Sequence, residues 1–305
     1  MVSFLVNDNY IDTLGEQRET YVTTAIKQGR SKQDFYWACS NREGDIMILC
    51  DGHGSNRVID IVRNYDFSKY LCDSTTKSGI SDLNPCTIIK DLQRITNVSE
   101  KINFTPVTKS SGSTITIAIY YQNIIKIAWM GDSQALLLKD GKQVFITNQH
   151  NSEEDPEGLL GKNLKTEYVC HQTPDGNMTQ MVKPYIDYSD PSKNIHDICA
   201  VTRALGHDNR TFNKPDYKEI KIDSVSDWKL ILATDGMYDV LGNTIEDHTI
   251  LWSKNAQEIC DIAAYRWSSE YVWNFIPINH APFQTQFSEG DADDIAIIAW
   301  SNFTK

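Results

Sequence analysis

Short apolar runs alternate with polar, turn-forming clusters along most of this chain, a pattern that predicts more strand than helix. Over 113–121, Thr114 and Thr116 alternate with Ile115, Ile117 and Ile119, and that period of two predicts a half-buried strand. Gln122-Asn123 turns it into a second strand over 124–130. Apolar segments 135–138 and 144–146 flank Asp140-Gly141, a pair that accepts the positive φ angles of a tight hairpin, so the region reads as an antiparallel meander. Helical spacing appears at Val58, Ile61, Val62 and Tyr65, continues at Ile88, Leu92, Ile95 and Ile102, and returns over 256–267 with Ile259, Ile262, Ala263 and Trp267 on one stripe. Hairpins in the middle with helix pairs before them and near the end predict an α+β chain: two central antiparallel β-sheets packed together and covered by helices on both outer faces. Residues 151–198 and 267–290 fit no regular element. The first is polar and reads as a lid; the second is aromatic and reads as an insertion beside the last aspartate.

With 305 residues, 40% hydrophobic and 23% charged, the chain can bury a large core in one or two domains. A formal net charge of -12 argues against non-specific nucleic-acid binding. No apolar run is long enough for a signal peptide or a membrane span, so the sequence predicts a soluble intracellular protein, cytoplasmic or nuclear. Seven cysteines without a CxxC pair read as reduced thiols, not as a disulfide frame or a zinc site.

Four aspartates change the picture, because each stands where an apolar run ends or begins. Asp51 follows Ile46-Met47-Ile48-Leu49-Cys50, Asp132 follows Ile127-Ala128-Trp129-Met130-Gly131, Asp235 follows Leu230-Ile231-Leu232-Ala233-Thr234, and Asp293-Asp294 leads into Ile295-Ala296-Ile297-Ile298. Carboxylates brought together at the ends of buried strands repel unless cations lie between them, so the simplest chemistry is a carboxylate-lined metal site.

In this order, Gly29-Arg30-Ser31-Lys32-Gln33-Asp34, Asp51-Gly52-His53-Gly54, Ser111-Gly112-Ser113-Thr114, Gly131-Asp132-Ser133, Thr202-Arg203-Ala204-Leu205-Gly206, Asp235-Gly236-Met237-Tyr238-Asp239 and Asp293-Asp294-Ile295 resemble the metal-dependent PPM (type-2C) protein phosphatases over nearly the whole chain. Each motif alone is weak; seven in colinear order are specific. The resemblance implies a four-layer αββα sandwich forming a single catalytic domain over 1–305, with residues 1–25 as an N-terminal extension, 151–200 as a flap-like insertion and 267–290 as the aromatic one. It implies two Mg²⁺ or Mn²⁺ ions per chain, bridged by Asp51. Asp235 and Asp293 would complete one metal, the Gly52 carbonyl would bind the other, Gln33 and Asp34 lie in the first ligand motif, and Asp132 with Asp235 and Asp239 would hold a weaker third. A hydroxide shared by two metals about 4 Å apart would attack phosphorus, Arg30 would hold the phosphoryl oxygens, and His53 would protonate the leaving alkoxide. The implied substrate is a phosphoserine or phosphothreonine protein, with neither nucleic acid nor membrane as partner and the chain a monomer.

Departures from the pattern keep a second reading open. Gln33 stands where most members carry Glu, the spacing from Arg30 to Asp34 is one residue short with Lys32 as a substitute cation, Gln134 replaces an Arg, and Asp294 replaces an Asn. A catalytically weak or silent pseudophosphatase serving as a scaffold is therefore the alternative. Ser111-Gly112-Ser113-Thr114 lacks the Gly-Lys-Ser ending of a phosphate loop and reads as the tight start of a strand, and Thr202-Arg203-Ala204-Leu205-Gly206 reads as structural.

Overall fold

The computed structural model describes residues 9–11, 17–29, 31–41, 44–71, 80–97, 111–161, 163–172, 178–187, 198–207, 211–223, 225–242, 244–270, 272–276, 283–285, 287–288 and 292–303. In chain order the strands are β1 (Asn9–Ile11), β2 (Gln17–Glu19), β3 (Tyr21–Lys27), β4 (Asp34–Asn41), β5 (Gly44–Gly54), β6 (Ser111–Ser113), β7 (Ile115–Tyr121), β8 (Ile124–Met130), β9 (Gln134–Lys139), β10 (Lys142–Ile146), β11 (Asn163–Gln172), β12 (Met178–Asp187), β13 (Ile198–Cys199), β14 (Leu205–Gly206), β15 (Asp216–Lys221), β16 (Trp228–Ala233), β17 (Val272–Ile276), β18 (Phe283–Thr285) and β19 (Ile295–Ser301). The helices are α1 (Arg57–Arg63), α2 (Pro85–Thr96), α3 (Asp235–Tyr238), α4 (Ile245–Ser253) and α5 (Ala256–Tyr265).

Two antiparallel sheets form the centre. One has the order β10-β9-β16-β19-β3; the other has β14-β6-β5-β7-β8-β15, with β4 paired to the long β5. The inner strands β5, β7, β8, β9, β16 and β19 are buried on both faces over most of their length, which is why they read as continuous apolar runs, whereas β10 and β15 are largely exposed. Met47, Leu49, Leu230, Leu232, Ala296, Ile298 and Trp300 point between the sheets, where Trp228 and Trp300 meet edge to face. The intervening residues Ile46, Ile48 and Cys50 face Val58, Ile59 and Val62 of α1 and Ile88, Ile89 and Leu92 of α2. On the far side, Ile231, Ala233, Ile295 and Ile297 face Met237, Leu251, Ile259, Cys260 and Ala263 from α3, α4 and α5. The result is the expected helix–sheet–sheet–helix layering.

Side-chain caps fix where the helices start. Asn84 caps α2 ahead of Pro85, and Thr244 and Asn255 close capping boxes with Asp247 and Glu258 at the starts of α4 and α5.

Three expectations need correction. The meander is split between sheets: β7 and β8 belong to one and β9 and β10 to the other, the chain crossing over at 131–133. The Asp140-Gly141 turn itself is as expected, with both residues at positive φ. Strand β7 is not half exposed, because Thr114 and Thr116 are as buried as the isoleucines; their hydroxyls bond Ser133 at the crossover, Thr114 Oγ1 to Ser133 Oγ at 2.7 Å and Thr116 Oγ1 to Ser133 O at 2.8 Å. Finally, the two stretches read as irregular contain strands of a single five-stranded sheet, β13-β12-β11-β17-β18, in which β11 pairs with β12 on one side and β17 on the other. Strand β11 mixes Lys, Thr, Glu, His and Gln with its apolar residues, so no period stands out. Ile102, included in the helical spacing, lies outside the described residues.

Candidate metal centre

Strand ends bring the aspartates together. Asp34 opens β4 and pairs directly with Asp51 near the end of β5. Asp132 lies in the crossover between β8 and β9, Asp235 opens α3 one residue beyond Thr234, which follows the end of β16, and Asp293 precedes β19, the antiparallel neighbour of β16. The carboxylate oxygens of Asp51, Asp132 and Asp235 lie within 4.8 Å of one another. Burial raises the Asp51 pKa well above the ordinary carboxylate range, and the charges of Asp34, Asp235, Asp293 and Asp132 add to the effect. Burial likewise raises Asp34, with Asp294, Asp293 and Asp235 contributing and a hydrogen bond from Thr234 opposing.

Buried Thr234 holds this end of the molecule together. Its hydroxyl donates to Asp34 Oδ2 at 2.8 Å and accepts from the Ala296 N–H at 3.0 Å, so β4 of one sheet is tied to β16 and β19 of the other. The second oxygen, Asp34 Oδ1, is buried with no hydrogen-bond partner among the described residues. An orphaned carboxylate oxygen beside three clustered carboxylates is an oxygen-only donor set that fits a hard divalent cation.

The remaining predicted residues divide. Asp293 is exposed and accepts the Asp294 N–H at 2.9 Å, and Asp239 lies one turn after Asp235, donating its N–H to the Asp235 carbonyl at 2.7 Å. Gly52 is buried, and an added Cβ would lie 3.0 Å from both Gln33 and Ile59, so crowding by the chain itself already calls for glycine there. Gln33 is not among the clustered carboxylates; its side-chain nitrogen donates to Asn56 Oδ1 at 2.7 Å and Gly54 O at 3.2 Å, bracing the loop after β5. Arg30 lies outside the described residues.

His53, two residues beyond Asp51, stacks on His207 with ring centroids 4.7 Å apart. Asp294 is buried and accepts from the Gly29 N–H, the Ser31 hydroxyl and the Gln33 N–H, fastening the first motif to the start of β19. Arg203 is structural, as the sequence suggested. Its buried guanidinium grips Asp155 through Nε and Nη2 at 2.7 and 2.6 Å and reaches Asp216 at 2.9 Å. Sequence reasoning missed Thr234, Asp155, Cys199 and His207; of these Thr234 directly precedes one quoted motif and His207 directly follows another.

The family model described as Protein phosphatase 2C matches residues 19–158. Residues 19–158 are thus similar to protein phosphatase 2C. It is 26% identical over 260 residues to "Probable protein phosphatase 2C 7" of Oryza sativa subsp. japonica, covering 79% of this chain and 60% of that protein. It is also 26% identical over 235 residues to "Probable protein phosphatase 2C 71" of Arabidopsis thaliana, covering 73% and 46%. The chain thus spans about half the length of the curated relatives it matches. Among solved structures the fold resembles the serine-threonine phosphatase 2C from Toxoplasma gondii, with a TM-score of 0.64, 14% identity and 98% of each chain covered. A C. elegans sex determining protein shares the fold with a TM-score of 0.54 at 18% identity, covering 92% of this chain and 64% of that one. In this chain the oxygen-only cluster lies where two sheets end together.

Proposed function

We propose that this chain is a divalent-cation-dependent phosphatase that hydrolyses phosphoserine and phosphothreonine in proteins, working as one catalytic domain. The observation that carries the reading is the Asp51, Asp132 and Asp235 cluster with the orphaned Asp34 oxygen, in a chain similar to protein phosphatase 2C. In this assignment Asp51, Asp34, Asp235, Asp293 and the Gly52 carbonyl would hold two Mg²⁺ or Mn²⁺ ions, and Asp132 with Asp235 and Asp239 would serve a weaker third. When bound, the ions supply Lewis acidity and lower the pKa of water. Everything else falls to the protein. Thr234 and Asp294 keep the ligand-bearing strand ends in register, and Gln33 braces the Gly54 loop that presents His53. His53 gives the departing alkoxide its proton, and His207 orients the imidazole. Arg30 holds the phosphoryl oxygens.

Phosphate release from a phosphothreonine peptide is expected to rise with added Mn²⁺ and to be lost in Asp235→Ala. His53→Gln should slow peptide turnover far more than hydrolysis of an aryl phosphate, whose leaving group needs little protonation. Folded protein that releases no phosphate at saturating Mn²⁺ would leave the scaffold reading in place. That reading draws support from Gln33, whose amide is engaged with Asn56 where a charged ligand is usual.

A further inference from the structure

His53 belongs to a second cluster, of different chemistry from the carboxylates. His53 Nδ1 stands 3.2 Å from His207 Nε2 and 3.7 Å from Cys199 Sγ, and one ligand atom from each of the three residues lies within 4.8 Å of the others. We propose that His53, Cys199 and His207 form a binding site for one borderline-soft divalent cation of the Zn²⁺ class, separate from the carboxylate centre.

The spacing fits such an ion. Zn–N bonds of about 2.05 Å and Zn–S bonds of about 2.3 Å at tetrahedral angles place two nitrogens about 3.4 Å apart and a nitrogen about 3.6 Å from sulfur. The observed 3.2 and 3.7 Å straddle those values. Two imidazoles and a thiol select Zn²⁺ over Mg²⁺ or Mn²⁺, the reverse of the preference of the aspartates nearby. Three protein ligands leave a fourth coordination position open, as in exchangeable or catalytic sites and unlike closed structural ones.

The framework holds the three residues on strands and tight backbone rather than on a long loop. His53 pairs with Gly112, and Gly112 pairs on its other side with Gly206, the residue before His207. Both imidazoles close over Gly112, where an added Cβ would lie 2.1 Å from His207 Nε2 and 2.4 Å from His53 Cε1. His207 reaches this place with φ at 52°, a left-handed backbone that few residues other than glycine adopt. Cys199 and His207 are buried and His53 is half exposed, so an ion has a route in from the His53 side. The sequence reading of the cysteines as plain thiols missed this because the three ligands are separated by up to 154 positions.

Occupancy would engage the imidazole assigned above as proton donor, so Zn²⁺ is expected to inhibit; this consequence, unlike the site, rests on the proposed function. The full chain is stripped with EDTA, supplied with excess Mg²⁺ to occupy the carboxylates, and titrated with Co²⁺ as a spectroscopic stand-in for Zn²⁺. One equivalent of Co²⁺ is expected to give thiolate-to-cobalt charge-transfer absorption and to be displaced by Zn²⁺. Cys199→Ser should abolish the band. His207→Asn, which keeps a residue tolerant of the left-handed backbone, should weaken Co²⁺ binding roughly tenfold or more. A folded wild-type chain with no charge-transfer band overturns the proposal, as does a band that persists in Cys199→Ser. In a parallel arm, Zn²⁺ added at fixed Mn²⁺ should inhibit peptide turnover by the wild type roughly tenfold more strongly than turnover by Cys199→Ser. A chain without turnover would count against the phosphatase reading and leave the Co²⁺ result to decide the site.

Discussion

Replacing Asp51 by Asn removes one charge from the middle of the carboxylate cluster at almost constant shape, and the metal-free protein should become more stable. At an effective dielectric constant of about 20, two ionised carboxylates no more than 4.8 Å apart repel by at least about 3.5 kcal/mol. Asp51 faces two, Asp132 and Asp235, so the repulsion would reach about 7 kcal/mol if all three stayed charged. Proton uptake caps it. Holding a carboxyl group of ordinary pKa 3.8 protonated at pH 7 costs about 4.4 kcal/mol, at about 1.36 kcal/mol per pH unit. The cap is the smaller figure, and burial raises the neighbouring Asp34 as well, so Asp51→Asn should gain about 2–4 kcal/mol in EDTA. The sign with pH follows from the raised Asp51 pKa. Between about 3.8 and the raised value the folded chain binds more protons than the unfolded one, so metal-free wild-type stability falls as pH rises through that window, and the variant's falls less. In Mn²⁺ at about a hundred times its Kd the wild type should gain about 2.7 kcal/mol and the variant little, so the two curves converge or cross. Urea unfolding followed by the fluorescence of buried Trp228 and Trp300 reads both conditions. A variant less stable than the wild type in EDTA, or stabilised equally by Mn²⁺, would refute the repulsion argument.

Asp155→Asn should destabilise by about 3–5 kcal/mol in the same assay, because it leaves the buried Arg203 guanidinium without its two-pronged partner. The Arg203 and Thr202 hydrogen bonds hold the Asp155 pKa down at about 2 against the penalty of burial, so the difference should shrink as pH falls from about 4 toward 2; a loss below about 1 kcal/mol at pH 7 would contradict this. Asp294→Asn puts an amide where Oδ1 accepts from Gly29 and Oδ2 from Ser31 and Gln33, and an amide can accept on one side only. It should cost about 1–3 kcal/mol and speed hydrogen exchange at the Gly29 or Gln33 amide, and unchanged exchange at both would count against the assignment.

The layered architecture was legible because its inner strands are buried on both faces and the turn chemistry between them is local. Asp140-Gly141 could be placed from its own two residues, and Asp51, Asp132 and Asp235 could be grouped because each marks a strand end. What failed was anything set by partners distant in the chain. The sheet to which a strand belongs is not written in its period, so β7–β8 and β9–β10 looked like one meander. Thr114 and Thr116 looked exposed because nothing nearby in sequence shows that Ser133 meets them. Thr234 was hidden at the end of an apolar run, and its bond to Asp34 spans 200 positions. The hydrogen bonds that the Gln33 amide nitrogen donates to Asn56 and Gly54 were likewise not visible in its motif.

Strand β11 joins two excursions that leave the sandwich about a hundred residues apart: β12 and β13 follow it directly, whereas β17 and β18 come from the end of α5. Neither half is self-sufficient. A chain trimmed of 272–285 would turn the ten-residue β11 into an open edge, a template for pairing with a second molecule. The two excursions therefore form one heritable module, to be shortened, grafted or lost together, and relatives that carry one without the other would need a different way to cover that edge.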